Sequence, residues 1–425
     1  MATETSIPLD RERHVKYWKR CHKTFLPHQY TSHDSTRMAL SFFTIAALDI
    51  LSPPSEAHLL SPADRENARN YVLGLQHPGG GFCGAPNHAL PKEMYADWDF
   101  EKGAPRTRHS SSANVAATYF ALLILAIVAD DADKAKDAFR GIDRVKTLRW
   151  LRRLQRDDGS FGELVLDDGT VEGGRDTRLC YLAAMIRWIL RGGVKEGDED
   201  WVEDINVDAV IEHIRRGQTY DGGVAESCHH ESHAGYAYCA VGALYLLDRP
   251  SEQEATPHRS PAVKRGLVDV SLLVKFLAYR QFEYLERSDD SDDPDTTNFL
   301  LPESLGQLSL DDNMRFVGFN GRCNKVADTC YCWWVGGTLQ MLGHVDLLDA
   351  EPSRRFLMSK TQHIIGGFSK YPGGPPDIYH GYLGLAALAT LGDAALKPFD
   401  ASLCATQETV DKIILARKGL MKTSK

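Results

Sequence analysis

In the stretch GRCNKVADTCYCWWVGG, residues 321–337, Arg322, Lys325, Asp328 and Cys330 fall within nine positions and lead straight into an aromatic run. Two cations, a carboxylate and a thiol cannot all be core residues, because buried charge needs a partner. A carboxylate and a thiol can hold a metal, and the cations can hold an anion beside it. Asp328 and Cys330 stand two apart, which puts them on different faces of a regular helix, so they can share one ion only where the backbone is irregular, as at a helix start. A histidine would complete an oxygen, sulfur and nitrogen set, and His380 in DIYHGYLGL is the candidate. Three such ligands suit zinc and leave its fourth position open, as in a catalytic site. A helix cap, a core thiol and a hydrogen-bonded histidine would show the same residue types without a metal. The reading therefore turns on whether the chain brings the three together.

The elements that would do so show as a repeat: an amphipathic helix ending in Gln, a Gly-rich turn, then an apolar helix. The turns are LQHPGGGFCG, LQRDDGSFGE, GQTYDGGVAE, MRFVGFNGRC and TQHIIGGFSK. Gln76, Gln155, Gln218 and Gln362 each stand six residues before Phe82, Phe161, Val224 and Phe368. Segments ending at these glutamines, such as VKTLRWLRRLQ, carry one apolar stripe and read as outer helices, whereas runs such as HAGYAYCAVGALYLL are apolar nearly all round and read as inner helices. SPADRENARNYVLGLQ opens with Ser61 as N-cap, Pro62 in the first turn and Asp64 three residues past the cap. With RERHVKYWKRCHKTF and DSTRMALSFFTIAALDIL in front, six outer and six inner helices alternate. The implied fold class is all-α, an α6/α6 barrel closed from six hairpins, with an open solenoid as the alternative. The ring would make residues 1–425 one domain.

In such an array every turn into an inner helix lies at one end. His233 at the start of the fourth inner helix, Asp328 and Cys330 at the fifth and His380 at the sixth should converge there. Arg322, Lys325, His233 and Tyr331 fall at the same place, where helix N-termini and clustered cations favour a phosphate-like anion. Tyr181, Tyr236, Trp333 and Trp334 would wall an apolar cavity next to it. The run SDDSDD at 288–293 has the DDxxD spacing of magnesium-diphosphate motifs, but it precedes Pro294 in an acidic insertion of about 282–313 and reads as solvated surface charge.

At 425 residues the chain can bury a large core, and a hydrophobic content of 43% with 25% charged residues is that of a globular protein. A net charge of -9 argues against a general nucleic-acid binder. No apolar run reaches the ~18 residues of a membrane span, and the polar start MATETSIPLDRERH has no signal-peptide core. Nine scattered cysteines fit reduced thiols, so a cytoplasmic location is expected.

GRCNKVADTCYCWW, ESHAGYAYCAVGAL and GGFSKYPGGPPDIYHGYLGL together resemble the β subunits of protein prenyltransferases across almost the whole chain, most closely those of geranylgeranyltransferase type I. The resemblance implies an α6/α6 barrel that acts as a heterodimer with a helical α subunit. It also implies transfer of an isoprenoid from its diphosphate to the cysteine of a C-terminal Cys-aliphatic-aliphatic-X (CaaX) motif, X usually Leu or Phe, on proteins such as small GTPases. By the same likeness Asp328, Cys330 and His380 are zinc ligands. His233, Arg322, Lys325 and Tyr331 hold the diphosphate, and Arg178, Tyr181, Tyr236, Cys239 and Trp334 contact isoprenoid or peptide. Ala39 stands where farnesyl enzymes have a bulky Trp, implying room for geranylgeranyl diphosphate. Lys370 stands where they have an aspartate that helps bind magnesium, implying a catalytic cation and no magnesium requirement. The acidic insertion departs from the family pattern. Farnesyl and Rab-directed enzymes are the alternatives within the likeness, the first disfavoured by Ala39 and Lys370. Outside it, a terpene cyclase would need an acidic proton donor on an inner helix, and a non-catalytic barrel would have no use for the Asp, Cys and His set.

Overall fold

The computed structural model describes residues 7–52, 58–86, 98–99, 104–105, 112–129, 132–166, 168–192, 194, 196–198, 200–249, 260–285 and 314–420. Outer and inner helices alternate along it. Outer α1 (Arg11–Lys23) precedes inner α2 (Arg37–Ile50), outer α3 (Pro62–Gly74) inner α4 (Val115–Ile127), and outer α5 (Arg144–Arg153) inner α6 (Thr177–Arg191). Outer α7 (Val207–Gly217) leads to inner α8 (Ala234–Asp248). After the short α9 (Pro261–Gly266) come outer α10 (Val270–Ala278), inner α11 (Thr329–Leu342), outer α12 (Ala350–Phe356) and inner α13 (Ile378–Thr390). Each inner helix packs on the next, and α13 packs on α2, so the array is a closed ring rather than an open solenoid. Ser61, Pro62 and Asp64 form the expected capping box at the start of α3.

The recurring glutamine has a structural cause. Its backbone bridges to the residue six places on, at Gln76 and Phe82, Gln155 and Phe161, Gln218 and Val224, and Gln362 and Phe368. In the interrupted repeat Gln281 pairs instead with Phe319, so the insertion sits inside the same bridge. The side chain then pins the next outer helix by its cap. Oε1 accepts from the N–H of Asp143 at 2.7 Å (Gln76), Asn206 at 2.7 Å (Gln155), Asp269 at 3.0 Å (Gln218) and Asp349 at 2.9 Å (Gln281). These four are the N-caps of α5, α7, α10 and α12. The turn glycine works at the same junction: at Gly222 (φ 88°) an added Cβ would lie 2.4 Å from the Leu272 carbonyl oxygen in the first turn of α10, and the backbone is left-handed as well. Gly80, Gly159 and Gly366 make the same approach to α5, α7 and α1. Gln362 closes the circle, its Oε1 lying 3.0 Å from Nε2 of His14 in α1.

The inner-helix starts lie together along one rim. The first N–H of α4, α6, α8 and α11 donates to a carbonyl of the next repeat's turn, at Glu163, Glu226, Gly321 and Lys370. At the other end the ring is closed by a strap, residues 399–406, that leads into α14 (Gln407–Leu420), which packs on α4 and α6. Buried tyrosines of the inner helices donate to it: Tyr238 to Ala401 O (2.6 Å), Tyr181 to Ser402 O (2.9 Å) and Tyr382 to Cys404 O (2.6 Å). Lys397 anchors the strap's start, its Nζ 2.9 Å from buried Asp49 and 2.6 Å from Glu408.

The insertion of about 282–313 begins one residue into the strand Gln281–Glu283, and its acidic run 288–293 lies outside the described residues. Among the described residues, no helix is long and apolar enough to cross a membrane.

Candidate metal centre and anion site at the ring mouth

Asp328 caps α11 with extended backbone (φ -142°, ψ 131°), and its Oδ1 accepts from Cys330 N–H at 2.9 Å. This is the irregular start that a two-residue spacing requires, and it turns carboxylate and thiol to one side. His380, in the first turn of α13, meets them: one ligand atom from each of Asp328, Cys330 and His380 lies within 4.8 Å of the others. Nε2 of His380 is 3.3 Å from Oδ1 of Asp328. Nδ1 is 2.6 Å from Oδ2 of Asp377, whose Oδ1 caps the helix by accepting from His380 N–H. Asp377 thus orients the ring so that Nε2 faces the cluster, the usual outer-shell partner of a metal-binding histidine.

The electrostatics suit a cation. Burial alone would lower His380, but Asp328 and Asp377 outweigh it and raise the imidazole to about 9. Burial would raise Asp328, yet His380 and Cys330 hold its carboxyl below the usual range. Burial and Asp328 together push the Cys330 thiol well up. The metal-free cluster therefore binds protons where a metal would bind, a carboxylate paired with an imidazolium and a neutral thiol.

The anion-type residues are contiguous with this cluster. His233 caps α8, and its Nδ1 accepts from Gly235 N–H at 3.0 Å. Burial, Arg322 and Arg178 lower His233 to about 4, so the neutral ring carries its proton on Nε2 and donates to Tyr331 Oη, 3.0 Å away. The Tyr331 hydrogen is left free to point at a ligand. The Arg178 guanidinium lies 5.5 Å from the Tyr236 ring centroid, and Tyr236 flanks His233. Arg322 is ion-paired with Glu231 at 2.5 Å, and Lys325 is exposed. Lys370 is brought in because its carbonyl accepts from Thr329; its Nζ lies 3.9 Å from Oδ2 of Asp328.

The apolar candidates divide by depth. Trp334, half-buried, donates to Tyr379 Oη at 3.1 Å, and Ala39 is half-buried in the first turn of α2. Tyr181 and Cys239 are each 4% exposed, below the accessible layer. Two grooves, about 740 Å³ between α1, α2 and α3 and about 1090 Å³ beside α5, contain none of these residues. Sequence reasoning missed Asp377, Asp176 and Glu231, the carboxylates bonded to His380, Arg178 and Arg322. For Asp377 a signal existed, an Asp three residues before a His at a helix start.

A family model described as the prenyltransferase alpha-alpha toroid domain matches residues 9–405. The chain is 29% identical over 404 residues to the geranylgeranyl transferase type-1 subunit beta of Arabidopsis thaliana, covering 92% of this chain and 88% of that protein. It is 27% identical over 405 residues to the protein farnesyltransferase subunit beta of Pyricularia oryzae, covering 90% of this chain and 63% of that protein. The two identities are too close to separate the classes. Among solved structures, Candida albicans protein geranylgeranyltransferase-I complexed with GGPP matches with a TM-score of 0.69 at 24% identity, over 96% of this chain and 98% of that one, a likeness of fold.

Proposed function

The chain belongs to the prenyltransferase alpha-alpha toroid family, and from that premise we propose that it is the catalytic β subunit of a zinc-dependent protein geranylgeranyltransferase of type I. The observation that carries this reading is the meeting of an Asp, Cys and His cluster with a cation-lined site at one rim of the ring. The donor set fits zinc: bonds of about 2.0–2.3 Å put tetrahedral ligand atoms roughly 3.3–3.7 Å apart, and the Asp328 to His380 separation is already 3.3 Å. His380 would ligate through Nε2, because Nδ1 is engaged by Asp377. Zinc bound there would keep the acceptor cysteine of a CaaX protein as a thiolate near neutral pH.

The chain's own residues handle the other reactant, geranylgeranyl diphosphate. As the C1–O bond breaks and the S–C1 bond forms, diphosphate leaves with the electron pair, and fixed donors must meet its growing charge. Arg322 would exchange exposed Glu231 for the leaving group, Lys325 would add a second cation, and Tyr331 would donate the hydroxyl hydrogen that His233 leaves free. Lys370, next to a metal ligand, supplies positive charge where a magnesium ion would otherwise serve. Ala39 leaves space for a twenty-carbon chain beside the half-buried aromatic residues. The α subunit and the CaaX substrates come with the family reading.

The test is prenyl transfer by the chain co-expressed with an α subunit, to a peptide ending Cys-aliphatic-aliphatic-Leu, with zinc present and magnesium removed. Faster transfer of geranylgeranyl than of farnesyl is expected. Farnesyl preference would overturn the Ala39 pocket, a strong requirement for magnesium would overturn the role of Lys370, and no transfer by a folded, zinc-loaded complex would overturn the whole reading.

A further inference from the structure

We infer that Cys323, held against the buried guanidinium of Arg280 at the edge of the anion site, is a site of reversible oxidation by peroxide that turns the anion site off. Cys323 is exposed, one of two exposed thiols, with Cys228, in the described chain. Its Sγ lies 3.4 Å from Nη2 of Arg280. Arg280 itself is only 6% exposed. Its Nε donates to Phe276 O at 3.2 Å and its guanidinium carbon lies 4.8 Å from the Phe276 ring centroid, while Nη1 is buried with no acceptor. Among the described residues no carboxylate pairs with it. A buried cation with an orphaned donor is costly, and the one polar side-chain atom it touches is a solvent-accessible sulfur.

The fork therefore favours a negatively charged oxygen bonded to that sulfur. Cys323 gives its proton to water and attacks one oxygen of hydrogen peroxide. The S–O bond forms, the O–O bond breaks, and hydroxide leaves and is protonated to water. Sulfur loses two electrons and the peroxide gains them. The sulfenate oxygen is an acceptor that Arg280 otherwise lacks. Excess thiol reverses the change, first as a mixed disulfide with loss of water and then by exchange. Cys323 follows Arg322 and stands two before Lys325, so a negative oxygen there, held by Arg280, adds charge that repels an incoming diphosphate. That inhibitory consequence rests on the proposed function; the oxidation does not.

The full-length protein, co-expressed with its α subunit, is exposed to hydrogen peroxide, and sulfenate is trapped with a carbon nucleophile and located by peptide mass spectrometry. Cys323 should be trapped about ten-fold faster than Cys228, roughly the least that one charge-assisted hydrogen bond supplies. Arg280→Met should bring it down to the Cys228 rate; where that variant does not fold, Arg280→Lys keeps the charge and removes the fork. Peroxide should abolish prenyl transfer, a thiol reductant should restore it, and Cys323→Ser protein should withstand the same exposure. Equal trapping at Cys323 and Cys228 overturns the site, and undiminished inactivation of Cys323→Ser, which would put the lesion at Cys330, overturns the switch. Trapping needs no transfer activity, so its failure is distinct from failure of the proposed function.

Discussion

Metal binding at the ring mouth should depend on pH with a slope that reports the ligands. In the metal-free protein His380 keeps its proton up to about 9, because Asp328 and Asp377 outweigh the effect of burial. Cys330 keeps its proton too, through burial and the nearby carboxylate of Asp328. Asp328 is already ionised near neutrality. A metal that takes all three must displace two protons, and since protons compete with it, acid weakens binding and base strengthens it. Apparent affinity should rise about 100-fold per pH unit between about pH 6 and 8, and about ten-fold per unit once pH passes the His380 value. The assay strips the protein with a chelator and titrates zinc against a chromophoric competitor whose own pH dependence is known. Cys330→Ser removes one of the two displaced protons and should flatten the lower limb to about ten-fold per unit. A wild-type slope no steeper than that of Cys330→Ser would refute thiol ligation, and no slope at all would refute the site.

Asp377→Asn keeps an oxygen to cap α13 but gives up the charge facing His380; metal affinity in the same competition assay should fall about 10–100-fold. Asp377→Ala should show that loss and, in urea unfolding, about 1 kcal/mol less stability from the missing cap. Gln218→Ala removes the acceptor of Val268 and Asp269 N–H and the donor to Asp269 O, and should cost about 1–3 kcal/mol by denaturant unfolding. Lys397→Met takes the lysine from buried Asp49, leaving it the His58 ring and the hydroxyls of Thr406 and Thr409, and should cost about 3 kcal/mol. Adding Asp49→Asn should recover part of that, and a double variant no better than the single would show that the pair is not coupled.

The alternation of helices and the gathering of Asp328, Cys330 and His380 were legible because both follow from local patterns, an apolar stripe of one period and a phrase recurring at fixed offsets. The glutamine was visible as a recurrence but not as a latch, because its partners lie about 50 to 70 residues ahead. The strap and α14 were not anticipated, since residues 399–420 match no repeat and the hydroxyls that hold the strap, those of Tyr181, Tyr238 and Tyr382, carry no positional signal. The carboxylates engaging Arg178, Arg322 and His380 escaped notice for a related reason: a cap is read as a helix signal, and Asp176 and Asp377 are caps that also hold a functional side chain. Lys370 reaches Asp328 through a backbone bond between neighbouring repeats, which no spacing within one repeat reveals.

The last latch, Gln362 to His14, joins residues 348 positions apart, and together with the packing of α13 on α2 it closes the ring between its first and last repeats. During synthesis at about 5–20 residues per second, α1 and α2 wait roughly 20–70 s for the helices that will cover their free flank. Every earlier repeat can lean on its predecessor as it emerges, but the first has no predecessor until the last exists. The first repeat is therefore the part of the ring left incomplete longest, and helpers that shield apolar surface have their longest opportunity there.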